Sequence, residues 1–156
     1  MKRYTLAAVA ALLVLVPGHE AVHADAPLYT VQNLGNFGGL VPTIAGMNAS
    51  GQIVGNVTTN GSMAVLYDTD KQWHSLPGLD TVFSVATGIN AHGEIVGYYH
   101  RPNSNGTYDE LAFRYRAGYP LVTIELPGAA STQGYAINAA GEVVGFANGS
   151  VGMVAF

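Results

Sequence analysis

The stretch Ile89-Asn90-Ala91-His92-Gly93-Glu94-Ile95-Val96-Gly97 decides the fold, because it occurs three times. Its counterparts are Met47-Asn48-Ala49-Ser50-Gly51-Gln52-Ile53-Val54-Gly55 and Ile137-Asn138-Ala139-Ala140-Gly141-Glu142-Val143-Val144-Gly145, with the asparagines 42 and 48 residues apart. Asparagine accepts a hydrogen bond from backbone two residues on, and a glycine three positions later supplies the positive φ that closes a type I turn with a bulge. Asn-Ala-x-Gly therefore reads as a hairpin tip, and the β-branched residues after it read as a strand. The last glycine ends that strand or permits close packing. A ligand-binding role for Asn48, Asn90 and Asn138 is the alternative, although turn chemistry already accounts for both the asparagine and the glycine.

Working outward, further elements keep step with the nonapeptides. Leu34-Gly35, Leu76-Pro77-Gly78 and Leu126-Pro127-Gly128 precede them, and Ala64-Val65, Ala112-Phe113 and Ala155-Phe156 follow. Three elements in a fixed order at this period mark repeated supersecondary units. In the middle copy four short strands are predicted, near Phe83–Ile89, Glu94–Tyr98, Leu111–Tyr115 and Leu121–Glu125, each bounded by Gly, Pro, Asn or Asp. The final glycine and the Ala doublet are separated by 9, 15 and 10 positions, so residues 101–108 of the middle copy are predicted to be an inserted surface loop. Leu28–Leu34 occupies the slot that follows the Ala-Phe strand, while residues 154–156 lie on that strand itself. The expectation is thus about 12 short antiparallel strands in three four-stranded repeats, with one unit shared between the N- and C-terminal strands.

Composition narrows the function classes. The 156 residues carry 10% charged side chains, no Cys and a formal net charge of −4. That excludes disulfide frameworks and thiolate metal sites, and it leaves no basic patch for nucleic acid or anionic lipid. Lys2 and Arg3 precede the apolar run Leu6–Val16, followed by Pro17-Gly18 and Val22-His23-Ala24. This order predicts a secretory signal peptide over 1–24, too short in its apolar part to span a bilayer. Four basic and nine acidic side chains remain after residue 24, a net of −5. The expected product is a single β-repeat domain over 25–156, secreted, extracellular or periplasmic, without stable membrane insertion. Its units run approximately 35–76, 77–126 and 127–156 plus 28–34.

Together, Leu34-Gly35-Asn36-Phe37-Gly38-Gly39, the three nonapeptides and the Ala doublets resemble the HAF family of extracellular repeat proteins, over nearly all of residues 34–156. The family's His before Ala-Phe is not kept: Met63 and Leu111 stand there in the first two copies, and the first doublet is Ala64-Val65. The resemblance implies an exported, all-β protein of propeller-like blades and brings no catalytic residues with it. Propellers close with about 4–8 blades, so three units imply an open array or a homodimer completing a six-bladed ring. A β-trefoil-like closure is the alternative.

No catalytic constellation stands out. Gln52, Glu94 and Glu142 occupy one repeated position, expected to be an exposed strand site rather than an acid/base pair. His74, His92 and His100 lack metal-ligand spacing, and Asp68-Thr69-Asp70 reads as a solvated turn. No metal and no cofactor is expected. The function expected is a binding, interaction or structural module, its partner a glycan or cell-surface protein, with an extracellular polysaccharide-active hydrolase or lyase as the alternative. The candidate ligand-binding residues are the aromatic and polar cluster Trp73, His74, Tyr98, Tyr99, His100, Arg101 and Tyr108; Trp73, Tyr98 and Tyr99 read equally well as packing residues.

Overall fold

The computed structural model describes residues 30–58, 60–149 and 152–156. The predicted signal peptide lies outside them. The chain divides into two compact units, residues 1–35 and 36–156. In the first, the described residues carry no strand, and the Asn33 side chain accepts the Gly35 N–H at 2.8 Å.

The second unit is all β among its described residues, in eleven strands: β1 Thr43–Met47, β2 Ile53–Thr58, β3 Ser62–Tyr67, β4 Trp73–Ser75, β5 Ser84–Ile89, β6 Ile95–Pro102, β7 Tyr108–Tyr115, β8 Val122–Ile124, β9 Ala129–Ile137, β10 Val143–Gly149 and β11 Gly152–Ala155. They form three separate antiparallel sheets in the orders β1-β2-β3-β4, β5-β6-β7-β8 and β11-β10-β9. Each sheet is one sequence repeat, so the periodicity was a direct image of the architecture. The strand count differs from expectation in the third sheet, which has three strands rather than four. The predicted strand at 28–34 does not form over its described part, residues 30–34. There the Asn33 side chain and the positive φ of Gly35 (73°) favour a local turn over a ladder.

The hairpin tips follow the predicted chemistry. Asn48, Asn90 and Asn138 each donate their N–H to the carbonyl of the residue four on and accept that residue's N–H on Oδ1, and Gly51, Gly93 and Gly141 have φ of 76°, 73° and 81°. Pro77-Gly78 turns the chain between the first two sheets, with Leu79 N–H bonded to the Leu76 carbonyl at 2.9 Å and Gly78 at φ 85°. The insertion is not a free loop. It extends the β6–β7 hairpin, whose register runs from Ile95↔Tyr115 to Pro102↔Tyr108, and only Asn103–Thr107 turn. Asn103 closes that turn as the repeat asparagines close theirs, accepting the Asn105 and Thr107 N–H groups at 3.1 Å each.

The final glycine of each nonapeptide neither starts nor stops a strand. It sits opposite a bulge in the preceding strand, where the register skips a residue between Ile44 and Gly46 and between Ala86 and Gly88. A Cβ on Gly97 would overlap the Val85 carbonyl, one on Gly145 that of Gln133, and one on Gly55 would lie 2.6 Å from the Thr43 oxygen. These glycines are required by backbone approach.

The core lies between the first and second sheets, where Val54, Ala64 and Leu66 meet Ala86, Ile95, Tyr99, Leu111, Phe113 and Tyr115, with Leu76 and Leu79 of the connecting segment beneath. Val96 and Ala112, on the opposite face of the second sheet, are also fully buried. The middle sheet is therefore covered on both faces, which explains why β6 begins with the continuous apolar run Ile95-Val96-Gly97 instead of alternating.

Two sets of polar bonds tie the sheets together. Asn48 Nδ2 donates to the Asn90 carbonyl and Asn90 Nδ2 to the Asn138 carbonyl, both at 2.9 Å. In the second set the Ser84 hydroxyl accepts the Ala64 N–H and donates to the Leu79 carbonyl, while the Thr132 hydroxyl accepts the Ala112 N–H and donates to the Ile124 carbonyl. No buried side-chain nitrogen or oxygen among the described residues is left unsatisfied.

Gly97→Ala is expected to cost about 3 kcal/mol, since the overlapping atom is backbone. Gly106→Ala, with open space around it and only a φ of 73° to oppose it, should cost about 1–2 kcal/mol. Urea unfolding of both variants measures the difference. A second expectation concerns acid. The Gln52 amide and then the Thr69 N–H hold the Asp68 carboxyl below its ordinary value. A depressed folded-state value contributes stability that is present above the unfolded value and lost as pH falls through the folded one. Asp68→Asn should accordingly flatten the decline in melting temperature between about pH 5 and about pH 2.

Candidate functional site

At the tips of the β2–β3 and β6–β7 hairpins lies a groove of about 470 Å³. Asn60–Met63 form one wall, Asp80–Phe83 of the connecting segment the floor, and His100, Pro102 and Tyr108 the other wall. The hairpin extension noted above brings Tyr108 here, opposite Pro102 at the end of the ladder.

Three rings are piled along this groove. Phe83 stacks on His100 with centroids 4.3 Å apart and planes at 24°, and His100 stacks on Tyr108 at 5.8 Å and 26°. The His100 N–H to Phe83 carbonyl bond, 2.9 Å, fixes the first pair from the backbone. Glu110 Oε2 lies 3.4 Å from His100 Nε2, and Glu110 in turn accepts from Gln133 Nε2 at 2.6 Å. The pile thus has an anchored base and an open end, since Tyr108 is 65% exposed. The lining contains Asp80 and no Lys or Arg.

Of the seven residues singled out from the sequence, His100 and Tyr108 line this groove. Arg101 lies between them on the same hairpin but turns to two carboxylates, Glu125 at 2.7 Å and Asp109 at 3.3 Å. Its guanidinium is held above its ordinary value by Glu125 first and Asp109 second, and Asn103 with Arg101 holds Asp109 below its own. Tyr98 is half-buried near Phe83, and burial, with Glu110 and Tyr135 behind it, raises its phenol. Tyr99 belongs to the core, its hydroxyl bonded to Thr123 at 2.9 Å and its ring edge-on to Phe113. Trp73 packs on Tyr67 at 5.2 Å, and His74 bonds to Asp70 at 2.8 Å; neither lines the groove.

Sequence reasoning missed Phe83, Asp80 and the Asn60–Met63 wall. Phe83 carried a signal, an aromatic residue immediately before a strand, but nothing local indicates that the strand's backbone would place it on His100. The repeated carboxamide or carboxylate position also needs correction. It is not an exposed site throughout: Glu94 is buried, accepts from Asn90 Nδ2 at 2.7 Å and lies 3.7 Å from Arg114. Gln52 accepts from Asn48 at 2.7 Å and donates to Asp68 at 2.9 Å. These side chains orient the asparagines that bridge the sheets, and the Asn-x-x-x-(Gln/Glu) spacing was the available clue. No group of three or more metal-ligating side chains is gathered among the described residues.

The division between packing and groove residues is measurable. Tyr99→Phe should lower stability by about 1 kcal/mol through the lost Thr123 bond, whereas Tyr108→Ala should change it by no more than about 0.5 kcal/mol. Chemical denaturation of the two variants checks this. Among the described residues no helix is long and apolar enough to cross a membrane. Comparison with family models, with curated proteins and with solved structures finds no match to this chain.

Proposed function

We propose that this chain is an exported binding module of the HAF kind, with propeller-like blades for sheets, and that its groove takes an uncharged glycan strand. The observation that carries the reading is the Phe83–His100–Tyr108 pile, whose last ring offers a free face beside a groove lined by Asn60, Ser62, Thr81 and Asp80. Aromatic faces suit the C–H faces of pyranose rings, and short polar side chains suit their hydroxyls. A lining without Lys or Arg and with one carboxylate favours a neutral polymer over an acidic one. Export is supported by the order of basic, apolar and small residues over 1–24. The blade reading is supported by the ladders, which among the described residues pair strands only within a repeat; a trefoil would need strands of different repeats to share one barrel.

Affinity electrophoresis against neutral and uronic-acid polysaccharides tests the reading. Retention by a neutral polymer, weakened at least about ten-fold in Tyr108→Ala, which corresponds to about 1.4 kcal/mol, and unchanged in Trp73→Ala, is the expected result. Equal retention of the Tyr108→Ala variant, or binding confined to acidic polymers, overturns it.

A further inference from the structure

The ten asparagines of the chain fall into two groups that do not overlap. In seven of them the side-chain oxygen holds a backbone N–H: Asn33 and Asn36 in the segment before β1, the three repeat asparagines, Asn56 at Ala86, and Asn103 at the β6–β7 tip. Each of these is followed by a residue that has a side chain. The other three, Asn60, Asn105 and Asn148, are exposed, make no side-chain bond among the described residues, and are each followed by glycine.

An unbonded carboxamide before glycine is a reactive pair. The glycine nitrogen reaches the asparagine Cγ readily, because no Cβ stands beside it and the backbone there turns with little steric resistance. A carboxamide whose oxygen holds the backbone is kept from that approach.

The three pairs differ in how free their backbone is. Asn60 and Asn105 lie in hairpin tips, beyond the last ladder pairs Thr58↔Ser62 and Pro102↔Tyr108. At the second tip the Gly106 N–H reaches the Asn103 carbonyl at 3.3 Å, against 3.0–3.1 Å for the same bond in the three repeat tips, and nothing stands within 4 Å of a Cβ built on Gly106. Asn148 is instead paired with both Ser131 and Met153 inside the third sheet, and the Gly128 oxygen lies 2.6 Å from where a Cβ on Gly149 would stand. That glycine has no room to turn.

We propose that Asn60-Gly61 and Asn105-Gly106 are sites of spontaneous deamidation by water, that Asn148-Gly149 is protected by its ladder, and that the first site adds a carboxylate to the groove. The Gly61 nitrogen attacks Asn60 Cγ: the N–Cγ bond forms as that nitrogen loses its proton to hydroxide, and the Cγ–Nδ2 bond breaks, Nδ2 leaving as ammonia with a proton from water. Water then opens the five-membered imide at either carbonyl, cleaving one C–N bond and leaving aspartate or isoaspartate. Nothing is oxidised or reduced, and each event adds one negative charge.

Asn60 stands on the groove wall, and a Cβ built on Gly61 lies 3.6 Å from Phe83 Cδ2, at the base of the aromatic pile. The lining has one carboxylate, Asp80, and no Lys or Arg to neutralise another. Conversion replaces an amide donor with a group that only accepts, and isoaspartate also lengthens the wall's backbone by one methylene. On the glycan reading above, on which this last step rests, the groove loses its ligand as the chain ages.

Peptide mass spectrometry of the full chain, incubated at mildly alkaline pH, is the test. The peptides holding Asn60 and Asn105 should gain the mass of an amide-to-acid conversion, with isoaspartate in both, while the Asn148 peptide keeps its amide until the chain is unfolded in urea. Gly61→Ala should slow reaction at Asn60 at least about ten-fold, a rise of about 1.4 kcal/mol in the barrier, and leave Asn105 unchanged. Gly61 has no positive φ, and circular dichroism verifies that the variant folds. Reaction at Asn148 in the folded chain as fast as at the other two overturns the proposal. So does an unreactive Asn60 or Asn105 under conditions in which the unfolded chain reacts, or an unchanged rate at Asn60 in Gly61→Ala. Retention by a neutral polymer is read separately: a loss on ageing that Gly61→Ala prevents supports the effect on the groove, and an equal loss in both chains, or none, overturns it. Fresh protein that retains no neutral polymer fails the glycan reading alone, since the chemical readout needs no ligand.

Discussion

The buried carboxamide of Asn90 is the interaction on which the arrangement of the sheets depends. It does three jobs at once: its Oδ1 accepts the His92 and Glu94 N–H groups and shapes the hairpin tip, its Nδ2 meets the Glu94 carboxylate, and the same nitrogen crosses to the Asn138 carbonyl. No residue without a side-chain donor and acceptor at that reach can satisfy all of these. A hydrophobic substitute would leave buried N–H groups unpaired, which costs more than the bonds contribute when made. Since the same device recurs at Asn48, the spacing between sheets is fixed by one amide per junction and the apolar side chains fill what that spacing leaves.

The order of the layers follows. A sheet with neighbours on both sides can bury both faces, and the second sheet does so between the first and the third. The first and second sheets together hold most of the buried apolar side chains, among them Val54, Val57, Val65, Ile95, Val96 and Phe113, while β11 is exposed along its whole length. Burial therefore falls from the first two sheets to the third, and the groove lies beside the first two. The His100–Phe83 stack sits on a hairpin rooted in the core through Tyr99 and Leu111, so a ligand there would meet a rigid platform.

Much of this was legible in the chain. The three nonapeptides carried the number of sheets, the hairpin tips and the placement of β5 to β8 within a few residues, because turn chemistry is local and each signal was repeated. The strand lengths at the insertion were not legible: Arg101, Pro102 and Tyr108 look like loop residues until Asn103 is recognised as another turn asparagine, which converts the insertion into a longer ladder. The junction chemistry was illegible for a different reason. Asn48 and Asn90 lie 42 residues apart, and nothing in a turn motif says that its side chain also reaches the next turn's carbonyl. The aromatic pile is long-range in the same sense, joining a connecting segment to two strands.

The bulges have one more consequence. Three repeats this alike run the risk of pairing in the wrong order while the chain folds, a characteristic failure of repeat proteins. The bulge opposite the closing glycine of each nonapeptide expels one residue from the ladder, and those residues differ: Ala45, Thr87 and Tyr135. Thr87 uses its hydroxyl to bond the Gly134 carbonyl, and the unrelated Asn56 clasps the Ala86 backbone from the other side. Each junction so carries a bond the other cannot make. The shared asparagines make the sheets stack, and these unshared side chains label which sheet goes where.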